Sequence, residues 1–156
     1  MNDLCQQVLA ALKGCTLVTA ESCTGGGIGA ALTAIPGSSD VYKGGIISYT
    51  NWVKEHLLQV DHQLLEQYGA VSAPVATEMA SGVRKQLSAD VAVSVTGLAG
   101  PGGDVYGNPV GTVYIGYCDA KVQTVEHHVF SGDRDAVRYK AVEAALKLIL
   151  KYCNNK

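Results

Sequence analysis

Apolar residues recur along this chain with two kinds of spacing, which separate predicted helices from predicted strands. Leu4, Val8 and Leu12 lie four residues apart, as on one face of a helix, whereas 91–95 is a short apolar run rich in valine, as in a buried strand. The same criteria predict helices over about 3–13, from the glycine-rich turn to Pro36, and over about 52–58, 61–69, 72–87 and 133–151. They predict strands over about 16–20, 45–49, 91–95, 111–118 and 121–130.

The order of these elements predicts an α/β fold. Strands alternate with helices over the first two thirds of the chain, and Asp119-Ala120 then joins the last two strands as a hairpin. This order favours a three-layer α/β/α architecture, in which a mixed sheet of about five strands is covered by helices on both faces. With 156 residues, 47% of them apolar, and no internal repeat, the chain is expected to form one domain over 1–156 that ends in a loose tail at 154–156.

The best candidate for an active site is the turn between the first predicted strand and the glycine-rich helix. The sequence reads Glu21-Ser-Cys-Thr-Gly-Gly26, so Ser22, Cys23 and Thr24 are expected at a helix N-terminus. Unpaired amides and the positive end of the helix dipole favour a phosphate or a developing oxyanion there. The alternative is that Ser22 or Thr24 only caps the helix, while the glycines allow it to pack closely on a strand.

Two other segments are expected to meet this turn. Ligands of open α/β sheets usually bind at the carboxyl ends of the strands, so 49–54 and the glycine-rich loop at 96–103 are predicted to converge on 21–27. The loop is marked by five glycines and two prolines over residues 96–109.

Lys54 is the candidate base for Ser22. A serine is a poor nucleophile until a base takes its proton, and no Ser-His-Asp order is apparent in this sequence. Lys54 follows Asn51, the expected N-cap, and lies in a first helical turn, where burial and the dipole would lower its pKa and produce a Ser-Lys dyad. The alternative is a solvated lysine that pairs with a neighbouring acid such as Glu55 or Glu21.

Cys23 is the rival nucleophile, because a helix N-terminus also acidifies thiols. A free cysteine, however, is more often a small packing residue.

Binding candidates come from the glycine-rich loop, the last helix and two tyrosines. Thr96 and the amides of the loop could hold a phosphate or carboxamide oxygen, or the loop could be only a flexible connection. Arg134 and Arg138 lie four residues apart at a helix start and could grip a phosphate together, or pair with acids on a solvated helix. Tyr49 and Tyr106 could stack on a heterocycle or serve ordinary packing.

Composition argues against several other classes of function. A net charge of -2 and a pI near 6.0 lack the basic excess of nucleic-acid binders, so no nucleic acid is expected as a partner. No segment has the roughly 18 apolar residues of a membrane span and the amino terminus lacks a leader pattern, so a cytoplasmic protein without a membrane partner is expected. Five cysteines without C-x-x-C spacing and four histidines without ligand spacing predict reduced thiols and no metal site. An apolar content of 47% would accommodate a homodimer interface.

The motifs together resemble a known family. They are Glu21–Gly26, Pro36–Ser39, Tyr49-Thr-Asn51 with Lys54, Gly69–Ser72, Val95–Gly97 through Ala99–Gly102, Pro109–Thr112 and Gly132–Arg134. This ordered series closely resembles the CinA C-terminal-domain family, whose enzymatic members are nicotinamide mononucleotide amidohydrolases. The resemblance covers roughly residues 5 to 150.

The resemblance implies an α/β/α fold and hydrolysis of nicotinamide mononucleotide to nicotinic acid mononucleotide and ammonia, a step of pyridine-nucleotide salvage that requires no cofactor. It implies Ser22 as nucleophile and Lys54 as base, with Tyr49 and Thr96 also in the catalytic group. The expected substrate-binding residues are Cys23, Thr24, Gly25, Gly26, Asn51, Gly97, Gly100, Arg134 and Arg138.

Two positions depart from the family pattern, and a second function stays open. Asn108 stands where a lysine is common, and Gln59 replaces a usual glycine, so the charge of the second loop and a local turn are expected to differ.

Many relatives also carry an amino-terminal domain, so this chain resembles the stand-alone type. The alternative function is a non-catalytic nucleotide-sensing or partner-binding module linked to competence or DNA damage. Hydrolysis of a phosphate bond ranks last, because the acids form no recognisable ligand cluster.

Overall fold

A computed structural model describes residues 1–153, so the tail expected at 154–156 lies outside the described residues. The described helices are α1 (Asn2–Ala11), α2 (Gly27–Thr33), α3 (Asn51–His56), α4 (His62–Tyr68), α5 (Ala73–Gln86) and α6 (Arg134–Cys153), with a 3-10 turn at Ser38–Asp40. The strands are β1 (Leu17–Glu21), β2 (Tyr42–Ile47), β3 (Val91–Gly97), β4 (Thr112–Cys118) and β5 (Gln123–Val129).

The five strands form one mixed sheet in the order β2-β1-β3-β4-β5. The first three strands are parallel, with Glu21 opposite Ile47 on one side and opposite Val95 on the other. β4 and β5 add to β3 as an antiparallel hairpin. The mixed five-stranded sheet of the sequence prediction is confirmed, and the carboxyl ends of β1, β2 and β3 lie at one edge.

Helices cover both faces of this sheet because the strands alternate their side chains between two cores. Leu17, Val93 and Val95 belong to the core under α1, α2 and α6. Val18 and Ala92 belong to the second core, under α4 and α5. The three-layer α/β/α architecture is therefore confirmed.

Three local expectations were wrong in detail. The second strand covers Tyr42–Ile47 instead of 45–49, because Gly44 and Gly45 already pair with Val18 and Thr19 of β1 in an edge strand whose residues are alternately exposed and half-buried. Thr50, not Asn51, is the N-cap of α3, and its hydroxyl accepts a hydrogen bond from Val53 N at 3.4 Å.

The third difference concerns the turn that carries the nucleophile candidate. α2 begins only at Gly27, since Gly25 and Gly26 adopt positive φ angles of 57° and 97° and form a turn before the helix. Ser22, Cys23 and Thr24 therefore precede the helix and are not its first residues. Among residues 1–153, no helix is long and apolar enough to cross a membrane.

Candidate active site

A cleft of about 410 Å³ opens where the parallel strands end. It is lined by Ser22, Cys23, Tyr49, Asn51, Lys54, Ala70, Val71, Thr96, the loop residues 97–103 and Arg134. The three segments that the sequence analysis expected to converge thus meet at one cleft, because β1, β2 and β3 are parallel neighbours and each is followed by one of them.

The floor of the cleft holds a serine and a lysine in direct contact. Lys54 Nζ lies 3.0 Å from Ser22 Oγ. Ser22 is fixed at the end of β1 by a hydrogen bond from its amide to Val95 O at 2.9 Å, and Lys54 reaches it from α3. Both side chains are buried, with Ser22 7% and Lys54 1% exposed.

The surroundings of Lys54 favour its uncharged form. Burial lowers the pKa of Lys54 from 10.5 to about 8. None of the ion pairs within the described residues includes Lys54; its Nζ instead donates to Ser48 O at 2.7 Å and lies 3.4 Å from Tyr49 O. The solvated, acid-paired Lys54 that the sequence left open is therefore absent from the described structure.

A neutral lysine in this geometry has its lone pair aimed at the serine. An uncharged amine has two N–H groups and one lone pair, and the two carbonyl oxygens of Ser48 and Tyr49 can accept both N–H groups. The lone pair of the amine then faces Ser22 Oγ, so the serine hydroxyl can donate its proton to Lys54 Nζ. The arrangement is thus suited to general-base activation of Ser22.

Glu21 occupies the helix N-terminus that the sequence analysis assigned to a ligand. Its carboxylate is 2% exposed and accepts hydrogen bonds from Ile28 N at 2.8 Å, Gly29 N at 3.1 Å and Thr24 Oγ1 at 2.6 Å. The amides of the second and third residues of α2 are therefore satisfied by a side chain of the protein, and the dipole of α2 faces Glu21 instead of the cleft.

Cys23 is unsuited to be the nucleophile. It is 6% exposed, packs in the core, and burial raises the pKa of its thiol to about 11. Because the thiolate is the reactive form of cysteine, the neutral thiol next to Ser22 is a packing group at ordinary pH.

Arg134 joins the two rims of the cleft. Its Nη1 donates to Gly100 O at 2.8 Å and its Nη2 donates to Tyr49 Oη at 3.1 Å. A guanidinium carries five N–H groups, so groups remain that can bind an anion at the mouth of the cleft. The side chains of Tyr49 and Asn51 at this mouth are exposed.

Thr96 and Gly97 form the wall opposite Lys54. Thr96 is 1% exposed, and its hydroxyl donates to Ala70 O at 2.8 Å, which leaves its oxygen free to accept a hydrogen bond. Gly97 is the last residue of β3, and a Cβ at this position would lie 2.7 Å from Val113, so only glycine fits.

Four of the expected substrate-binding residues do not line the cleft. Thr24 is buried against Glu21, and Gly25 and Gly26 lie in the turn behind it. Arg138 does not join Arg134, because its guanidinium donates to Cys23 O at 3.0 Å and to Thr24 O at 3.3 Å on the far side of the turn. The expected pair of arginines is thus divided between two places.

Sequence reasoning missed the anchors of the glycine-rich loop. Tyr106 Oη donates to Glu66 O at 2.9 Å, and the tyrosine ring lies against Gly69, where a Cβ would be 2.5 Å from it. Asn108 Nδ2 donates to Asp104 Oδ2 at 2.7 Å and to Val71 O at 3.2 Å. Asn108 thus ties the loop to the segment before α5, and no residue pattern in the sequence signalled this contact.

The second departure from the family pattern has a backbone cause. Gln59 has a φ of 59°, a left-handed conformation that glycine adopts without strain. Among the described residues no group of three or more His, Cys, Asp or Glu side chains could hold a metal ion.

The comparisons with known proteins agree with this fold. A family model of the CinA C-terminal domain matches residues 1–153. The chain belongs to the CinA C-terminal domain family.

Several relatives of this CinA domain are CinA-like proteins. The chain is similar to CinA-like proteins of Gloeothece citriformis, at 49% identity over 87% of the chain, and of Synechococcus sp. RCC307, at 52% identity over 86%. These matches cover 34% and 33% of the relatives, so the chain spans about a third of their length.

Solved CinA structures have the same fold. The chain is similar to a CinA superfamily protein of Klebsiella pneumoniae, with a TM-score of 0.96 and 33% identity over 99% of this chain and 98% of the other. It is also similar to the competence/damage inducible protein CihA of Agrobacterium tumefaciens, with a TM-score of 0.90 and 37% identity over 98% and 94% of the two chains. These names state family membership and no reaction.

Proposed function

We propose that this CinA domain is an amidohydrolase that converts nicotinamide mononucleotide into nicotinic acid mononucleotide and ammonia by a Ser-Lys mechanism. The observation that carries the proposal is the buried contact of 3.0 Å between Lys54 Nζ and Ser22 Oγ at the floor of a cleft. The family resemblance supplies the substrate, and the geometry supplies a nucleophile and a base.

In the first step, neutral Lys54 takes the proton of Ser22 as the serine oxygen attacks the carboxamide carbon. The tetrahedral intermediate places a negative charge on the former carbonyl oxygen, which requires donors close to Ser22. The amides of Cys23 and Thr24 follow Ser22 directly and have no backbone acceptor within residues 1–153, whereas Gly25 N already donates to Ser22 O at 3.0 Å. Cys23 lines the cleft and Thr24 does not, so we assign the oxyanion to the amide of Cys23.

In the second step, protonated Lys54 returns its proton to the leaving nitrogen, and ammonia departs from the acyl-enzyme. A water molecule then loses a proton to neutral Lys54 and attacks the ester carbon. As the ester bond breaks, protonated Lys54 returns that proton to Ser22 Oγ, which restores both residues, and the acid product releases its remaining proton to solvent as the carboxylate. The same lysine serves both half-reactions, as microscopic reversibility requires. The fixed positive charge of the pyridinium ring makes the carboxamide a better electrophile.

The charges of the cleft suit a nucleotide of this kind. Arg134 offers a cation at the mouth for the phosphate, and Tyr49, bonded to it, offers an aromatic ring beside the entrance. Thr96 and Gly97 form the wall near the reacting groups. A carboxamide at the floor and a phosphate at the rim would thus meet suitable groups at both ends.

The alternative of a sensing or partner-binding module explains less of the site. A module that only binds gains nothing from a lysine buried without an acidic partner, and burying such a lysine costs stability. The Ser22–Lys54 contact has an evident use in amide hydrolysis, so the enzyme is the preferred function.

The test is ammonia release by the purified chain from nicotinamide mononucleotide. Nicotinamide and asparagine serve as amides without the nucleotide, and AMP serves as a nucleotide without the amide. Ammonia and nicotinic acid mononucleotide should form in equal amounts from nicotinamide mononucleotide alone. Binding of that nucleotide without ammonia release would favour the sensing module and overturn the proposal.

A further inference from the structure

The side chain of Arg138 contacts the turn at residues 22–26, the nucleophile turn, on the side that faces away from the cleft. It extends from α6, and its Nε donates to Cys23 O at 3.0 Å while its Nη2 donates to Thr24 O at 3.3 Å. None of the ion pairs within residues 1–153 includes Arg138, so its charge is not neutralised by a bonded carboxylate. A positively charged guanidinium thus donates hydrogen bonds to two consecutive carbonyl groups.

The two carbonyl groups belong to peptide units whose amides lead to the reacting serine. Cys23 O shares its peptide group with Thr24 N–H. Thr24 O shares its peptide group with Gly25 N–H, which donates to Ser22 O at 3.0 Å, and Ser22 O in turn shares its peptide group with Cys23 N–H. A hydrogen bond to a carbonyl oxygen polarises the whole peptide group and strengthens its N–H as a donor.

We infer that Arg138 is a positioning residue that holds the turn at residues 22–25 and polarises the amide of Cys23, so that this amide stabilises the oxyanion formed after attack by Ser22. The inference rests on the proposed function. Arg138 acts on Cys23 N–H through two peptide groups, which the hydrogen bond from Gly25 N to Ser22 O connects, without touching the substrate. It therefore supports the transition state of amide attack and leaves ground-state binding of the nucleotide unchanged.

The cavity beside Arg138 makes a charge-specific experiment feasible. A pocket of about 290 Å³ is lined by Arg138, Thr24, Tyr139 and Val142 among others, so a guanidinium ion can reach the space left by Arg138→Ala. Urea has nearly the same shape and hydrogen-bond donors but no charge. Both are added far below the concentrations that unfold proteins.

Ammonia release by the wild type is measured first, because a wild type without turnover would overturn the proposed function and not this inference. Given turnover, Arg138→Ala should lower kcat by about ten- to a hundredfold with KM nearly unchanged, since weakened oxyanion donors act in the transition state alone. Guanidinium should restore a large part of kcat, and urea should not. Lys140→Ala is the matched control, because Lys140 is a cation of the same helix that donates to Ser131 O at 2.7 Å, away from the cleft.

Three results would overturn the inference: an unchanged kcat in Arg138→Ala, a loss confined to KM, or equal rescue by urea and guanidinium. If Arg138→Ala does not fold, Arg138→Lys, which keeps the charge and one donor, replaces it and should retain more kcat than Arg138→Gln. An equal loss in these two variants would contradict a role for the charge.

The amide nitrogen resonances of Thr24 and Gly25 report the same polarisation without any substrate. They should move upfield when Arg138 is replaced, and unchanged resonances would count against the inference.

Discussion

Lysine side chains are almost never fully buried without a charged partner, yet Lys54 is 1% exposed and contacts a hydroxyl and two carbonyl oxygens. Burial in such surroundings disfavours the ammonium form, which lowers the pKa of Lys54 to about 8. A base with a pKa near the working pH is close to the optimum for proton transfer. The unfavourable burial of this residue is therefore what makes it useful.

The pH dependence of turnover follows from this lysine. In the proposed mechanism the neutral amine is the active form, so kcat/KM for ammonia release should rise about tenfold per pH unit below pH 8 and level off above it. Steady-state rates between pH 6 and about 10 measure this rise of kcat/KM and the plateau that follows it. A plateau that already begins near pH 6 would mean that another group is the base.

The sequence named the two side chains of the proposed dyad but not every group that contacts them. Ser22 and Lys54 could be named because a hydroxyl in a glycine-rich turn and a lysine in a short helix are visible as residue types. The carbonyl oxygens of Ser48 and Tyr49 were invisible, since every residue carries one. The orientation of the lysine lone pair therefore emerged only from the structure.

At the scale of elements, the nucleophile turn depends on Glu21 more than on the helix that follows it. The Glu21 carboxylate accepts hydrogen bonds from the amides of Ile28 and Gly29 and from the hydroxyl of Thr24, so it joins the end of β1 to the start of α2. A buried anion held by amide and hydroxyl donors can be stable, because each oxygen accepts hydrogen bonds to its charged form.

Glu21→Gln tests this connection. The amide nitrogen of glutamine would face donors where an oxygen now accepts, so the variant should lose about 2 kcal/mol of unfolding free energy. Urea denaturation measures the loss. Glu66→Gln is the control, since Glu66 pairs with His62 at the surface, and it should leave stability nearly unchanged. Equal stability of Glu21→Gln and wild type would contradict the role of the carboxylate.

Most elements were predictable because their apolar spacing is regular. The misplaced boundaries lie where the residue types suit two local conformations equally well. Asp61 and Asp133 cap α4 and α6 as their residue types suggest, with Gln63 N and Ala136 N as donors. The start of α2 was misplaced because a glycine run is compatible both with a helix and with the left-handed turn that is observed. The cap of α3 was misplaced by one residue because Thr50 and Asn51 both suit an N-cap.

At the scale of the whole molecule, the cleft depends on contacts between segments distant in sequence. The loop 97–103 forms one of its walls, and Tyr106 anchors that loop to the C-terminal end of α4 through Glu66 O and the bare face of Gly69. A loop so rich in glycine would lose much entropy on ordering without such an anchor. The wall is therefore held in place before substrate arrives.

Tyr106→Ala should loosen this wall and raise KM for the nucleotide by about fivefold, as expected for the loss of one hydrogen bond and its packing. The change in kcat should be smaller, because Tyr106 does not line the cleft. Val105→Ala is the matched control, since Val105 is the neighbouring loop residue and is 94% exposed. Equal KM values in both variants would show that the anchor is dispensable.

The convergence of three segments on one cleft was predictable, but the contacts within it were not. Parallel strands that alternate with helices bring their carboxyl ends together, so Ser22, Lys54 and Thr96 could be assigned to one region. The spacing of Arg134 and Arg138 placed both on one side of α6 but could not show that one faces the cleft and the other the back of the turn. That division depends on where the loops lie, which no periodicity encodes.

A kinetic cycle for ammonia release tests whether Ser22 and Lys54 act as a dyad. It compares the wild type with Ser22→Ala, Lys54→Met and the double variant, each checked for folding. Two groups that act as one unit are strongly non-additive. Each single variant should lose on the order of 10³-fold or more in kcat, and the double variant should be no slower than the slower single one. Losses that multiply in the double variant, or substantial turnover in either single variant, would contradict a dyad of Ser22 and Lys54.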